Sequence, residues 1–182
     1  MTIGEGFPQV LLAAQAGAEW AWHRLYASVA GAVRGYVAAQ GACDPDDLTG
    51  EVMLHLVRGI DRFVGDEAAF RSWVFVIAHH RVLDERRQSR RKDHALTRLP
   101  VLVGATDSVD GEVLDRAWPD EWAERLAQLS DDQRTVVLLR VVAGLSAGEV
   151  GLVVGKKPGA VRVMQHRAIL RLQEICAMEV TP

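Results

Sequence analysis

The stretch LSDDQRTVVLLRVVAGLSAGEVGLVVGKKPGAVRVMQHRAILRLQ, Leu129–Gln173, decides the fold. It contains two capping boxes, Ser130-Asp131-Asp132-Gln133 and Ser146-Ala147-Gly148-Glu149. In each, a serine hydroxyl and a Gln or Glu three residues later satisfy the free N–H groups of a helix start. Gly144 ends the first helix, and Gly155-Lys156-Lys157-Pro158 ends the second. A last helix is expected over Gly159–Ala177. A short helix, a four-residue turn and a longer helix have helix-turn-helix proportions. Gly155 permits the positive φ that such a turn needs. Gly159 and Ala160 are expected to keep the last helix small where it meets its neighbour.

At ~100° per residue the last helix sorts into two faces. Val161, Met164, Ala168, Leu172 and Ile175 fall together on an inner face. Arg162, Val163 and His166 fall opposite, with Arg167 on the flank. In this motif the N-terminal part of the second helix enters the major groove. Arg162 suits guanine or phosphate, and Val163 suits a thymine methyl. Lys156 and Lys157 stand at the turn, where phosphate contacts are made. Spacing alone also fits a plain αα corner with a solvated basic face.

Upstream, Pro119–Leu129 is expected to be helical, with Trp122, Leu126 and Leu129 on one stripe. Ala95–Trp118 has weak periodicity, a Pro and two Gly, and reads as a linker. Its length is unusual inside one compact domain, which points to two domains on a tether. Further upstream, Pro8–Gln15 reads as a short helix. Ala18–Gln40 reads as a longer one, with Trp22, Leu25, Tyr26, Val29, Val33 and Val37 at helical intervals. Gly31 and Gly35 weaken that helix or permit close packing. Asp44-Pro45 pairs an N-cap with proline at the first helical position. That helix runs to about Arg58, with Leu48, Val52, Leu56 and Val57 on one side. Gly59–Glu67 reads as a loop. Ala68 to about Arg90 is a helix, apolar first and basic later. No strand pattern and no repeat is present, so the fold class is all-α.

With 49% hydrophobic and 25% charged residues the composition is globular. The net charge of −3 argues against a free-standing DNA binder, because phosphate neutralisation supplies much of the affinity for duplex DNA. The charge is segregated, however. Arg81–Arg98 holds seven Lys/Arg against three acids, and Gln133–Arg171 holds seven against one. Thr106–Glu124 holds seven acids against one Arg. Such segregation fits a protein that touches DNA only at selected places. Cys43 and Cys176 have no metal-ligand spacing and follow no signal peptide, so they are expected to be reduced, buried and inert in the cytosol. No apolar run approaches the ~20 residues of a membrane span.

Leu129–Gln173 resembles region 4 of the extracytoplasmic-function (ECF) sigma factors of the sigma-70 family. Asp44–Phe63, DPDDLTGEVMLHLVRGIDRF, resembles region 2.2 and the loop after it. Phe70–Arg91, FRSWVFVIAHHRVLDERRQSRR, resembles regions 2.3 and 2.4. The resemblance implies two small helical domains. Region 2 would cover 1–94 and an acidic linker 95–118. Region 4 would cover 119–182, with no further C-terminal regulatory domain.

It also implies a cytoplasmic, non-enzymatic initiation factor without cofactor or metal. Its partners would be core RNA polymerase (the beta and beta-prime subunits), promoter DNA and an anti-sigma factor. Neither membrane insertion nor a small-molecule substrate is implied. Asp46, Asp47, Leu48, Glu51 and Val52 occupy the core-polymerase-binding positions. An acidic first turn with an apolar ridge suits docking on a basic coiled coil. Asp61, Arg62, Phe63, His80, Arg81, Arg86, Arg87, Arg90 and Arg91 occupy the −10 region, with Lys92 beside them. Opening a promoter needs such a cationic track and a surface for an unstacked base. Lys156, Lys157, Gly159, Ala160, Arg162, Val163, His166 and Arg167 occupy the −35 region. His80 stands where the family often has Asn, and Val163-Met164 where many relatives have Ser and Arg. Trp73, spaced with Phe70, Val74 and Ile77, reads as core rather than as a melting wedge. The acidic linker fits either a path through polymerase towards the RNA exit or a solvated, extended tether.

Two rivals are weighed against this. For an enzyme, His23, His55, His79, His80, His94 and His166 offer no metal spacing and no nucleophile constellation. His79 and His80 would point ~100° apart on a helix. A stand-alone helix-turn-helix regulator would need neither Asp44–Phe63 nor the basic helix after it.

Overall fold

A computed structural model of the chain describes residues 2–96 and 120–180, with side chains for 2–91 and 121–178. Helices and turns, and no strand, make up the described residues. The expected linker therefore lies almost wholly outside them, and the Lys92 side chain does too.

In the N-terminal half, α1 is Phe7–Gln15, α2 Glu19–Ala39, α3 Pro45–Gly59 and α4 Glu67–Leu96. The Asp44 carboxylate caps α3, accepting from the N–H groups of Asp46 (3.0 Å) and Asp47 (2.9 Å). Leu25, Val29, Val33 and Val37 of α2 are buried as their spacing requires, whereas Tyr26 is exposed. On α3, Leu48, Val52 and Leu56 are buried but Val57 faces out. The expected loop after α3 holds a 3-10 turn, Ile60–Arg62, that buries Ile60. Gly31 makes no close packing, since a Cβ there would meet nothing within 4 Å.

In the C-terminal half, α5 is Asp120–Ala127, α6 Asp131–Val141, α7 Ala147–Val154 and α8 Pro158–Val180. Both capping boxes form, with Ser130 and Gln133 closing one and Ser146 and Glu149 the other. Gly155 is left-handed (φ 66°, ψ 33°), which completes the turn between α7 and α8. The close approach of these helices is not at Gly159 or Ala160, which are both exposed. It is at Gly151, where a Cβ would stand 2.5 Å from the Lys156 carbonyl oxygen. Leu126 and Leu129 are buried, but Trp122 is exposed, with the Arg125 guanidinium 5.4 Å from its ring centre.

The two halves share one continuous core rather than standing apart. α4 packs on α2 and α3, and also on α7; α2 reaches α6. Phe70, Val74, Phe75, Ala78 and Val82 give α4 a buried stripe. Burying a Val or Phe contributes about 1.5–3 kcal/mol. An exposed ion pair contributes only ~0–1 kcal/mol. Packing therefore holds α4 in place. Cys43 is exposed and Cys176 half-buried, contrary to the expectation that both are buried.

Candidate nucleic-acid interface

The outer face of α8 is built as its periodicity requires. Val161, Ala168 and Ile175 are buried, and Met164 and Leu172 pack at the edge of the core. Arg162, His166 and Arg167 are exposed, and Val163 is 50% exposed among them. Lys157 is exposed at the turn, while Lys156 is half-buried and ion-paired to Asp132 at 3.0 Å. The outer face of α8 thus presents cations around Val163, with Ile169 and Leu170 exposed farther along the helix.

Not every cation of Gln133–Arg171 serves that face. Arg134 donates to the carbonyls of Leu126 (2.8 Å), Ala127 and Leu129, closing the end of α5. Arg140 donates to Gln165 Oε1 at 3.0 Å and to the Leu145 carbonyl, bracing α6 against α8. Both are structural, which a count of charges cannot show.

On α4 the cations also divide. His80, Arg87, Arg90 and Arg91 are exposed. Arg81 instead turns back to α3, with Nη2 2.6 Å from His55 Nε2 and Nη1 3.7 Å from Glu51. Because Nε2 accepts there, the His55 proton sits on Nδ1, which is 3.0 Å from the Glu51 carbonyl. Arg86 turns the other way. Its Nη2 donates to the Gln40 carbonyl (2.7 Å) and Gln40 Oε1 (2.8 Å), and Nη1 lies 3.6 Å from Asp131. As the molecule stands, Arg81 and Arg86 are committed to protein partners.

Between α3 and α4, Asp61 and Arg62 are exposed. Phe63 stacks on Trp73, with ring centres 5.1 Å apart and planes 15° apart. Trp73 in turn covers Gly59, where a Cβ would come within 2.8 Å of its ring. Trp73 is thus a packing residue that fixes the loop. The next residue, Val64, is 92% exposed. It stands in the loop Asp61–Asp66, which the family resemblance implies for base capture.

The acidic start of α3 is exposed at Asp46, Asp47 and Glu51. A hydrogen bond from Arg34 Nε (2.7 Å) holds the Asp46 carboxyl below its ordinary range. Leu48 (7% exposed) and Val52 (0%) belong to the core, so they offer no docking ridge. The apolar side chains that α3 does expose are Leu54 and Val57. No cluster of His, Cys, Asp or Glu suited to a metal occurs among the described residues.

Two family models match, in this order along the chain: Sigma-70 region 2 over residues 21–92 and Sigma-70 region 4 over 120–172. The chain is 35% identical to the ECF RNA polymerase sigma factor ShbA of Streptomyces griseus, over 71% of this chain and 70% of that one. It is 31% identical to the ECF sigma factor BldN of Streptomyces coelicolor, over 89% of this chain but 62% of BldN. It is 34% identical to SigD of Mycobacterium tuberculosis, over 71% of this chain and 61% of SigD. The fold matches that of CnrH, solved with the cytosolic domain of CnrY, at a TM-score of 0.69 and 21% identity, covering 96% of this chain and 99% of that one. It also matches the Bartonella quintana sigma factor RpoE, solved with the anti-sigma factor NepR, at 0.68 and 21%, covering 88% and 98%. With both regions present in order and the helix-turn-helix face turned outward, the chain belongs to the ECF RNA polymerase sigma factors of the sigma-70 family.

Proposed function

We propose that this chain binds core RNA polymerase and directs promoter-specific transcription initiation. The observation that carries this is the pairing of a region 2 match with a region 4 match whose reading helix is exposed. A stand-alone regulator has no use for the first, and the net charge of −3 suits it poorly.

Residues 1–94 act on polymerase and the −10 element, 95–118 link, and 119–182 read the −35 element. Asp46, Asp47 and Glu51 meet the basic polymerase surface, with Leu54 and Val57 as the accessible apolar contacts. Arg62, His80, Arg87, Arg90 and Arg91 follow the −10 strand, and Val64 joins Phe63 as the apolar surface for an unstacked base. Lys157, Arg162, Val163, His166 and Arg167 meet the −35 duplex. The factor is non-enzymatic, needs no cofactor and works in the cytoplasm; no described helix is long and apolar enough to cross a membrane. An anti-sigma factor holds it in check, a reading supported by the bound partners of CnrH and RpoE.

Run-off transcription with core polymerase and the chain's own upstream promoter tests this. A discrete transcript that depends on the chain is expected. No transcript from any candidate promoter overturns the proposal.

A further inference from the structure

Between the first turns of α3 and the middle of α4 lies a groove of about 360 Å³, in which Arg81 stands among the carboxylates of Asp44, Asp47, Glu51, Asp84 and Glu85. Three of these acids already have partners within the fold. Asp44 caps α3, Glu85 accepts from the Cys43 N–H at 3.0 Å, and Asp84 lies 3.2 Å from Arg87. Asp47 and Glu51 are exposed, and the function proposed above sets them against the basic surface of polymerase. Arg81 intrudes on that surface with a charge of the wrong sign. Its position is particular. Nη2 is 2.6 Å from His55 Nε2, whereas Nη1 stands 3.7 Å from the Glu51 carboxylate, too far for a hydrogen bond. A guanidinium beside a carboxylate ordinarily closes to a direct, often bidentate pair. Here the imidazole takes the N–H first. Its own Nδ1 lies 3.0 Å from the Glu51 carbonyl one turn earlier, which orients the ring. The Glu51 side chain keeps 48% of its exposure.

We propose that His55 is a positioning residue of the polymerase-docking face: its neutral imidazole holds Arg81 off Glu51, so that the Glu51 carboxylate stays available to a cation of core polymerase. This rests on the sigma-factor function proposed above. Arg81 then belongs to the docking face and not to the −10 track. Helical geometry agrees. His80, Arg87 and Arg91 are exposed and recur along one stripe of α4. Arg81 is turned ~100° from His80, towards α3. Without the His55 acceptor, Arg81 Nη2 loses its partner, and Glu51 is the carboxylate already beside it. The guanidinium closes on Glu51, and polymerase must then break an internal ion pair to dock. A charge neutralised from within no longer complements the partner's surface.

Titration of core polymerase with the full chain and its variants tests this. His55→Leu should weaken binding several-fold. His55→Gln, whose amide oxygen accepts from Arg81, should restore most of that loss. Arg81→Gln should bind at least as tightly as wild type, and His55→Leu added to it should change nothing further. Holoenzyme binding to fork-junction −10 DNA supplies a second readout. Its salt slope should be unchanged in Arg81→Gln, whereas Arg87→Gln, at an exposed −10 candidate, should lower the slope by about one. Equal losses with His55→Leu and His55→Gln overturn the positioning role, because the accepting atom then does not matter. So does a His55→Leu loss that persists in the Arg81→Gln background, since it then does not act through Arg81. A lowered slope in Arg81→Gln returns Arg81 to the −10 track and overturns its assignment to the docking face. Wild-type binding with His55→Leu indistinguishable from it overturns the role of His55 alone. No binding of core polymerase by the wild type overturns the sigma-factor function and the role of His55 with it.

Discussion

Gly151 lies directly against the Lys156 carbonyl, at the point where α7 gives way to the turn before α8. A Cβ on Gly151 would stand 2.5 Å from that oxygen, and 3.7 Å from Pro158 N. Backbone cannot yield there as a flexible side chain would. Gly151→Ala should therefore destabilise the chain by roughly 1–3 kcal/mol, as overpacking does. Gly159→Ala, with open space around it, should stay within about 0.5 kcal/mol of wild type. Urea midpoints of the two variants check the contrast, and equal midpoints would contradict it.

The Phe63–Trp73 stack ties the loop after α3 to α4. Aromatic pairs of this kind contribute about 0.5–1.5 kcal/mol beyond burial. A double-mutant cycle with Phe63→Leu and Trp73→Leu should return a coupling of that order. A coupling of zero would mean that Trp73 does not hold the loop.

His79 sets a pH dependence. Burial, then the neighbouring His80 and Arg86, push its pKa from 6.5 down to about 4, against the opposing pull of Asp132. Between those values the unfolded chain binds more protons than the folded one, so stability rises with pH. The contribution is present above about pH 6.5 and is lost as pH falls towards 4. Unfolding midpoints measured from pH 7 to pH 4 should fall with acidification, and His79→Gln should flatten the slope. An unchanged slope in that variant would place the titration elsewhere.

Much of this was legible in the sequence, for local reasons. Ser130 and Gln133, or Ser146 and Glu149, are three residues apart, so the chain itself brings them together. The inner face of α8 follows from helical period alone. What was not legible depends on residues distant in sequence. Gln40 and Thr135 are 95 positions apart, and no spacing announces their bond. Arg81 and Arg86 are five positions apart on one basic helix, yet one bonds His55 and the other Gln40. Leu48 and Val52 looked like a ridge for a partner because an amphipathic stripe does not say which surface will cover it. Here α3 turns that stripe into its own core. Gly159 and Gly151 show the same limit: each is a glycine near the turn, but only the backbone path shows which one is under a carbonyl.

Arg162 is exposed on the outer face of α8, in the stretch expected to enter the major groove. Arg162→Ala should weaken −35 binding by about 1–3 kcal/mol if the contact is bidentate. The unfolding midpoint should not move. Equal affinity for a −35 duplex in the polymerase-bound state would remove Arg162 from the interface.

Asp47 is exposed at the start of α3 and holds no role in the core. Asp47→Arg should weaken binding to core polymerase at least tenfold and leave the circular dichroism spectrum unchanged. Unaltered binding would move the docking face away from this turn.

The central claim, that the helix-turn-helix works as half of a polymerase-held promoter reader, is tested most directly by promoter affinity with and without core polymerase. Fluorescence anisotropy on a labelled promoter fragment at fixed salt supplies the measurement. The account predicts weak, unselective binding by the free chain and tight, sequence-selective binding with core polymerase present. Tight, selective binding by the chain alone, unchanged by polymerase, would contradict it.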